Sequence, residues 1–564
     1  MQEPWWKRSA VYQIYPKSFL DTTGNGLGDI NGIIAQLDYL RELGVDVIWL
    51  TPIYASPEKD NGYDISDYYA INPQYGTMED FDKLLDEAHR RGIKVIMDIV
   101  VNHTSTEHPW FQQSCSSLDN PYRDYYIWRE PNNGQEPNNW QSKFGGSAWK
   151  YDEKTKQYYL HLFDVTQADL NWENTDVRQE VYQMMNFWLA KGVDGFRLDV
   201  INLISKDQNF PNDSGENAQA DGRKYYTDGP RVHEYLHEMN QEVFANRETM
   251  TVGEMSSTSI EECIKYTNPE RQELNMTFNF HHLKVDYPGG EKWAKAEFDF
   301  IKLKQILSEW QIRMHDGEGW NALFWCNHDQ PRIVSRFGDS GKYRVESAKM
   351  LGTTIHMMQG TPYIYQGEEI GMTNPEFDQI TDYRDVESLN MYNLLREQGK
   401  SHDTIMDILK QKSRDNSRTP MQWNRSVHGG FTKGMPWIQA APNYPEVNVE
   451  AALQDRESIF YHYQKLIQLR KQYDIITYGD YRLLLADHEQ VFAYARQWQN
   501  ETLLVVNNFY REPVTLTADE IGMSPEHGKG GVLLSNYADS PEDFRALQLR
   551  PYESIVYYWR EEEE

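Results

Sequence analysis

Short apolar runs alternate with amphipathic segments along most of the chain. The runs, rich in β-branched and aromatic residues, cover positions 11–15, 45–50, 95–101, 195–200, 250–254, 276–280, 322–326 and 362–366. Between them, apolar residues recur at helical spacing, for example at 34–43, 78–91 and 177–191. Eight strands that alternate with helices predict a closed parallel (β/α)8 barrel, the TIM-barrel class of α/β fold.

Two regions depart from this alternation. The stretch after the third run is long, irregular and rich in Pro, Asn, Gly and aromatic residues, which indicates an inserted subdomain. After a helix near 458–472, the chain becomes strand-rich, as is typical of a small antiparallel β domain. We therefore expect a barrel at 1–103 and 172–478, an inserted subdomain B at 104–171, and a C-terminal β-sandwich domain at 479–564.

Acidic residues stand where three of the predicted strands end. Asp199, Glu254 and Asp329 follow or close separate runs, and strand ends of a barrel meet at the rim that holds the active site. Cleavage of a glycosidic bond uses two carboxyl groups, one against the anomeric carbon and one as proton donor. Arg197 shares a strand face with Asp199 and would keep it ionised, which suits a nucleophile. Enclosure of Glu254 would raise its pKa, which suits an acid and base.

The third run adds polar residues at its end. Asp98 and Asn102 share a face, and His103 follows directly. Taken singly, an Asp at a strand end is often a turn or helix cap, and a lone His is often a hydrogen-bonded structural residue. Four such segments at four strand ends favour a site instead, with Asp98 and Arg197 supporting it rather than touching the bond that breaks.

Composition narrows the classes of partner. The chain has 564 residues and a formal net charge of −30, which disfavours nucleic acid and anionic membranes. Its three cysteines lack metal-type spacing and indicate reduced thiols. The N-terminus shows no signal-peptide pattern, and no apolar run is long enough to span a bilayer. We expect a cytoplasmic protein, a monomer or weak oligomer, without nucleic-acid or membrane partners.

Several segments together resemble a known family. Residues 98–103, 167–172, 195–199, 253–254 and 327–330 closely resemble, in order, the signature segments of glycoside hydrolase family 13, the α-amylase-like retaining enzymes. The resemblance runs from about Trp5 to the C-terminus. It implies that Asp199 is the nucleophile, Glu254 the general acid/base and Asp329 the transition-state stabiliser. It also places His103, Arg197 and His328 around the glucosyl ring.

The same resemblance suggests an exo-acting enzyme. Asp60 and Arg414 resemble the clamp that closes the glycone site of exo-acting α-glucosidases, with Tyr63 stacking beneath the sugar or simply packing. Val200, directly after the nucleophile, resembles the residue of oligo-1,6-glucosidases. An oligo-1,6-glucosidase acting on unphosphorylated α-1,6-glucosides is therefore one hypothesis.

Two further segments point to a phosphorylated disaccharide. Residues 253–259 and 276–293 look like those of the trehalose-6-phosphate hydrolase subgroup, and the second contains Lys284 and Lys292. Lysines can bind phosphate as point charges, although a solvated loop would also contain them. The resemblance implies hydrolysis of α,α-trehalose 6-phosphate to glucose and glucose 6-phosphate, with the phosphorylated ring as leaving group. Two competing hypotheses are a transglycosylase and a non-catalytic sugar-binding or transporter-accessory subunit.

An early Gly-rich loop is a candidate metal site. Oxygen donors alternate along it as in a calcium loop, at Asp21, Thr23, Asn25, Leu27 and Asp29. The loop lacks the bidentate Glu of a strong calcium site, and a metal-free turn is the competing interpretation. We expect no cofactor in the chemistry and a possible structural Ca²⁺.

Overall fold

A computed structural model describes residues 3–215, 220–523 and 531–561. Its centre is a parallel barrel whose strands are β1 (Val11–Ile14), β2 (Val47–Leu50), β3 (Lys94–Ile99), β4 (Gly195–Leu198), β5 (Met250–Glu254), β6 (Met276–Phe278), β7 (Ala322–Leu323) and β8 (Thr361–Tyr365). They pair in the order β6-β5-β4-β3-β2-β1-β8-β7, and a parallel bridge between Thr277 and Asn321 closes the ring. The predicted (β/α)8 barrel is confirmed.

Helices surround the barrel. Those in the loops that follow β1 to β7 are Ile30–Ala35, Leu37–Leu43, Met78–Arg90, Pro109–Ser114, Thr175–Lys191, Val232–Met239, Ile260–Thr267, Phe300–Asp316, Ile333–Phe337 and Arg344–His356. The helix predicted at 34–43 is two helices that begin earlier, because the Asp29 carboxylate accepts the Gly32 N–H and caps the first. No helix in the described ranges is long and apolar enough to cross a membrane.

The insertion after β3 covers one side of the rim. It leaves and returns through His103–Ser105 and Gln167–Asp169, which pair antiparallel, so both boundaries predicted near 104 and 171 lie on or beside this ladder. Inside it, Trp128–Arg129, Gln157–Leu160 and Trp149–Asp152 form a three-stranded sheet. The insertion thus has a sheet of its own on a two-stranded base, and part of its apolar side chains pack with Val200, Leu203 and Phe210, which follow β4.

A second excursion follows β8, and the sequence patterns did not separate it from the barrel. The chain runs through Val386–Glu397 and His402–Lys412 before reaching Asp415–Arg418. These helices bury an apolar cluster of their own, which includes Leu395, Ile405 and Leu409. The excursion places Glu387 and Arg414 at the rim, opposite the first insertion. Helices Val449–Gln454, Ile459–Gln472 and Asp474–Tyr478 then lead out of the barrel.

The C-terminal region is antiparallel, as predicted. Strands Asp480–Leu484, Val491–Trp498, Glu501–Asn508, Ser554–Arg560 and Gly531–Ser535 form one sheet in that order, and Val514–Thr517 pairs with Ala546–Leu549. Helix Ala518–Ile521 directly follows strand Val514–Thr517. Residues 1–2 and 562–564, at the ends of the predicted domains, lie outside the described residues. A buried lysine of helix Phe300–Asp316 contacts this domain. The Lys304 ammonium group donates to the carbonyls of Leu485, His488 and Val491.

Candidate active site

The acidic residues of the strand ends meet around one guanidinium. Arg197 Nη1 lies 2.6 Å from Asp199 Oδ1 and 2.9 Å from Asp98 Oδ1, and its Nη2 lies 2.7 Å from Glu254 Oε2. The register explains this convergence, because Arg197 pairs with Asp98 on β3 and with Val252 on β5. Carboxyl groups far apart in sequence therefore share one buried cation at the barrel rim.

Asp98 fixes the position of the Arg197 guanidinium through one carboxylate oxygen. Its second oxygen accepts hydrogen bonds from Trp49 Nε1 at 3.1 Å and from the Tyr63 hydroxyl at 3.0 Å. Both oxygens are thus occupied, and the side chain is buried. Asp98 is placed to orient Arg197 and cannot reach a substrate atom without losing these partners.

The nucleophile candidate and the acid/base candidate bind the two terminal nitrogens of one guanidinium, that of Arg197. The backbone N–H of Val200, the residue after Asp199, donates to Glu254 Oε2 at 3.1 Å. Val200 adopts φ 36° and ψ 40°, a left-handed conformation that a β-branched residue rarely takes. A shared guanidinium keeps the two carboxyl groups close together, whereas an inverting pair stands ~6.5–9.5 Å apart to admit a water molecule. The arrangement suits a retaining mechanism.

The electrostatic environment separates the two carboxyl groups. Burial raises the pKa of Glu254 to about 8, with Arg197 opposing and the charges on Asp199 and Asp329 reinforcing the shift. Burial likewise raises the pKa of Asp199 to about 6, with Arg197 acting against it. Between these values Asp199 is ionised and Glu254 protonated, as a nucleophile and a proton donor must be.

This pair predicts a bell-shaped pH dependence. We expect kcat/KM to rise as the pH passes about 6, where Asp199 loses its proton, and to fall above about 8, where Glu254 loses its own. The measurement is kcat/KM across the range that brackets both values, on a neutral alkyl α-glucoside, whose leaving oxygen needs a proton. Glu254→Gln should remove the fall on the alkaline side; a fall that persists in this variant would assign it to another group.

Asp329 is held as an anion. Its Oδ1 lies 2.7 Å from Arg418 Nη2 and 3.4 Å from Arg414 Nη1, and its Oδ2 lies 3.3 Å from His328 Nε2. Burial opposes ionisation, but His328, Arg414 and Arg418 hold the pKa of Asp329 well below its usual range. An anion fixed beside Asp199 and Glu254 can stabilise positive charge on a sugar ring.

His328 is held on one side by Gln13 and Tyr63 and lies next to Asp329 on the other. Gln13 Nε2 lies 2.8 Å from Nδ1, and the Tyr63 ring stacks on the imidazole with centroids 5.1 Å apart. Burial lowers the pKa of His328 to about 3, so the ring is neutral. Its Nε2 makes no well-aligned hydrogen bond, although Asp329 Oδ2 lies 3.3 Å away, so this N–H can donate to a sugar hydroxyl.

An ion pair closes the inner end of the site. Arg414 Nη2 lies 3.0 Å from Asp60 Oδ1, and it is also bound to Asp385, which caps helix Val386–Glu397. Gln167 Nε2 donates to Asp60 Oδ2 at 3.1 Å. The clamp expected from Asp60 and Arg414 is therefore formed by side chains with several fixed partners each.

His103 lies beside this clamp. Its Nε2 donates to the Tyr63 carbonyl at 3.0 Å, and its Nδ1 lies 3.2 Å from Asn102 Nδ2. Burial lowers the pKa of His103, so it is neutral as well. Tyr63 is thus held at three points: its carbonyl, its hydroxyl and its ring.

These groups surround a small cavity of about 200 Å³. Its lining consists of Asp60, Tyr63, His103, Lys143, Phe144, Phe163, Asp199, Val200, Glu254, Lys292, Asp329, Gln330, Glu387 and Arg414. The volume suits one hexose ring, and Asp60 and Arg414, which pair with each other, both line it. Arg197 lies beneath the lining and does not form part of it.

The outer side of the cavity is cationic. Lys292 lines it and binds Glu387 through both carboxylate oxygens, at 2.7 and 2.9 Å. Lys143, from the insertion, also lines it, and its Nζ lies 3.3 Å from Ser256 Oγ. Desolvation lowers the pKa of Lys143 to about 8. Lys284 is solvent-exposed and does not line the cavity itself.

Lys284 nevertheless belongs to the same cationic rim. It makes no ion pair with any residue in the described ranges, and desolvation together with the charges of Arg223 and Lys292 lowers its pKa. The positive charges of Arg223 and Lys284 also contribute to the lowered pKa of Lys143. The rim therefore gathers four cations, of which Lys292 and Arg223 are paired with Glu387 and Asp221, in a chain whose net charge is strongly negative.

In the candidate calcium loop, the carboxylate oxygens already accept hydrogen bonds from protein groups. Asp21 Oδ1 accepts the N–H groups of Thr23 and Gly24, and Oδ2 accepts Gly26 N–H and the Thr432 hydroxyl. Asp29 accepts from Thr22 and caps a helix, Asn25 accepts Leu27 N–H, and the Thr23 hydroxyl also faces Asp21. Within residues 3–215, 220–523 and 531–561, no group of three or more His, Cys, Asp or Glu could hold a metal. The Ca²⁺ site stays a prediction, and these donors would have to exchange hydrogen bonds for the ion.

Several residues at or beside the cavity escaped the sequence patterns, including Phe144 and Phe163 of the insertion. Lys143 lies in the irregular insertion, Glu387 lies in a helix after β8, and Gln167 belongs to a family-like segment in which the residues alone assign it no role. For Gln167, the one signal in the sequence was its place in segment 167–172, which resembles a signature segment of the family.

Comparisons with known proteins agree with the fold. The family profiles described as "Alpha amylase, catalytic domain" and "Alpha-amylase SusG C-terminal domain" match residues 13–479 and 491–556. The chain is 65% identical over 557 residues to the trehalose-6-phosphate hydrolase of Bacillus subtilis (strain 168), covering 99% of this chain and 98% of that protein. It is 56% identical over 562 residues to the oligo-1,6-glucosidase of Parageobacillus thermoglucosidasius, covering 99% of each.

Solved structures give the same result. The crystal structure of trehalose-6-phosphate hydrolase from Bacillus licheniformis matches with a TM-score of 0.95 and 64% identity, covering 99% of this chain and all of that one. Sequence and fold therefore agree with these relatives over nearly the whole chain. The protein belongs to the α-amylase family of glycoside hydrolases, glycoside hydrolase family 13.

Proposed function

We propose that the protein is a retaining, exo-acting α-glucosidase that hydrolyses α,α-trehalose 6-phosphate to glucose and glucose 6-phosphate. The observation that supports this most is the polarity of the cavity. Its inner end is closed by the Asp60–Arg414 pair, and its outer side carries Lys143 and Lys292. A neutral glucosyl ring fits the inner end, and an anionic leaving group fits the outer side. Relatives bearing that activity in their names support the same assignment.

The chemistry follows from the two carboxyl groups. The Asp199 carboxylate attacks the anomeric carbon from its β face, while Glu254 gives its proton to the glycosidic oxygen, so glucose 6-phosphate leaves as a neutral alcohol at that oxygen. Glu254, now ionised, takes a proton from water, which displaces Asp199 from the α face. Two inversions give α-glucose, and both carboxyl groups return to their starting protonation states.

The orientation of the substrate follows from charge. The Asp60 carboxylate at the glycone end would repel a 6-phosphate there. At the other end, we assign the phosphate to Lys284 and Lys292, with Lys143 as a further cation beside Glu254. Arg414 and His328 would bind hydroxyls of the glucosyl ring, and Asp329 would stabilise its positive charge.

A comparison of substrates tests the proposal. We expect kcat/KM for trehalose 6-phosphate to exceed that for trehalose and for isomaltose by at least about a hundredfold, the order of two charge-assisted hydrogen bonds. Equal values for trehalose with and without phosphate would contradict the assignment. A clear preference for isomaltose would instead establish the oligo-1,6-glucosidase alternative, which Val200 and the relative of that name favour.

The lysines can be tested separately. Lys284→Met should lower kcat/KM for trehalose 6-phosphate about 10- to 100-fold, because one charged contact to phosphate is lost. Hydrolysis of p-nitrophenyl α-glucoside, which has no phosphate, reports whether the catalytic groups are intact. Lys295→Met is the matched control, since Lys295 lies on the same loop but points to Asp407. An equal loss on both substrates would contradict the role of Lys284.

The remaining assignments rest on this substrate. A phosphorylated disaccharide does not cross a membrane unaided, and Cys115, Cys263 and Cys326 are all free thiols, so we propose a cytoplasmic location and a role in trehalose catabolism. We propose a monomer or weak oligomer, to be measured by analytical ultracentrifugation. The non-catalytic alternative predicts no turnover of any α-glucoside, which the substrate comparison also measures.

A further inference from the structure

Glu387 is the only carboxylate, among the cavity-lining residues described, that bridges the outer cations and the inner clamp. Its two oxygens lie 2.7 and 2.9 Å from Lys292 Nζ, and Oε2 lies 3.5 Å from Arg414 Nε. The pair is largely shielded, with 11% of the Glu387 side chain and 25% of the Lys292 side chain exposed. The lysine assigned to the phosphate is thus already occupied by an anion of the protein itself.

A phosphate can engage Lys292 fully only by taking the place of that carboxylate. Lys292 also lies over the Trp293 ring, 4.7 Å from its centroid, which limits how far its ammonium group can turn away. Glu387 has a second cation within reach. Arg414 Nε lies 3.5 Å from Oε2, so a small movement of the carboxylate would bring the two into a closer ion pair. Arg414 in turn contacts Asp60, Asp329 and Asp385.

We infer that Glu387 is a specificity-determining residue that acts as a tethered competitor for the phosphate site. In the absence of a phosphorylated sugar it neutralises Lys292. When the phosphate arrives, the carboxylate gives up Lys292 and turns toward Arg414, the residue that closes the glycone end. This inference rests on the proposed function, since it assumes that Lys292 receives the phosphate.

The consequence concerns both selection and release. A competing carboxylate lowers the affinity for any phosphate that binds by charge alone, including inorganic phosphate and the glucose 6-phosphate product. A substrate that also fills the glycone site gains binding free energy there, which the product lacks once the bond is broken. Glu387 would therefore favour departure of the phosphorylated product more than it hinders binding of the whole substrate.

Replacement of Glu387 by glutamine provides the test. Titration calorimetry should show that glucose 6-phosphate and inorganic phosphate each bind Glu387→Gln about tenfold more tightly than the unaltered enzyme, the order expected for removal of one competing ion pair. The matched control is Asp407→Asn, which removes a carboxylate from the neighbouring Lys295 and should change neither affinity. Glu387→Asp, whose shorter side chain weakens the pair without removing charge, should shift affinity in the same direction by less.

Dependence on Lys292 is the second readout. In a Lys292→Met background, Glu387→Gln should no longer tighten phosphate binding, whereas a general electrostatic effect would persist there. Unchanged or weaker phosphate binding in both Glu387 variants, with a phosphate-selective unaltered enzyme, would overturn this inference alone. Failure of the unaltered enzyme to prefer the phosphorylated disaccharide would overturn the proposed function first.

Discussion

Replacement of Asp199 by asparagine should lower kcat by at least about 10⁴-fold on every α-glucoside, because an amide cannot form the glucosyl ester on which both steps depend. The fold should persist, since Arg197 keeps its contacts with Asp98 and Glu254. The measurements are steady-state kinetics and thermal unfolding on the same preparation. A variant that loses activity together with its thermal transition would report collapse of the site and not loss of the nucleophile.

Chemical rescue distinguishes a nucleophile from a residue that only positions the substrate. In Asp199→Gly, azide should enter the vacated space and attack the β face, giving β-glucosyl azide through a single inversion. Asp98→Gly is the contrast, because Asp98 is buried behind Arg197 and azide placed there cannot reach the anomeric carbon. An α-glucosyl azide from Asp199→Gly would contradict the assignment.

Replacement of Glu254 by glutamine should give a loss that depends on the leaving group. For trehalose 6-phosphate, whose departing oxygen needs a proton, we expect kcat/KM to fall about 10³-fold, within the usual range for general acid catalysis. For p-nitrophenyl α-glucoside, whose phenol leaves as an anion, the first step should fall far less. The measurement is kcat/KM on both substrates.

The second step supplies the control for Glu254. Without its base, the glucosyl-enzyme should accumulate on the aryl substrate and appear as a burst of p-nitrophenol. Azide, which needs no deprotonation, should relieve that block and give α-glucosyl azide, the opposite anomer to that from Asp199→Gly. Equal losses on both substrates, without a burst, would remove Glu254 from the role of acid and base.

The barrel and its carboxylates could be predicted because each depends on a local pattern. A strand followed by Asp199 or Glu254 is recognisable from a few residues, and barrel closure brings strand ends to one rim whatever the loops do. The long loops carry no comparable periodicity. Lys143 therefore could not be placed, although it lies beside Glu254.

Pairing between distant side chains is the part that patterns do not express. Lys292 resembles a free cation on its loop, and its occupation by Glu387 depends on how two rim segments pack. In the early loop, alternating oxygen donors suggest a metal, but whether those oxygens face an ion or the loop's own N–H groups depends on backbone geometry. The left-handed conformation of Val200 is equally invisible in its residue type.

The two-stranded base of the insertion has a consequence for engineering. His103 and Gln167 lie on opposite strands of that ladder. His103 contacts Tyr63 and Gln167 contacts Asp60, two of the residues proposed to bind the glucose unit. The insertion is therefore not an independent cap that can be exchanged for another. A chimaera that exchanges the whole segment would replace His103 and Gln167 as well, and only exchanges made beyond the ladder would keep their contacts with Tyr63 and Asp60.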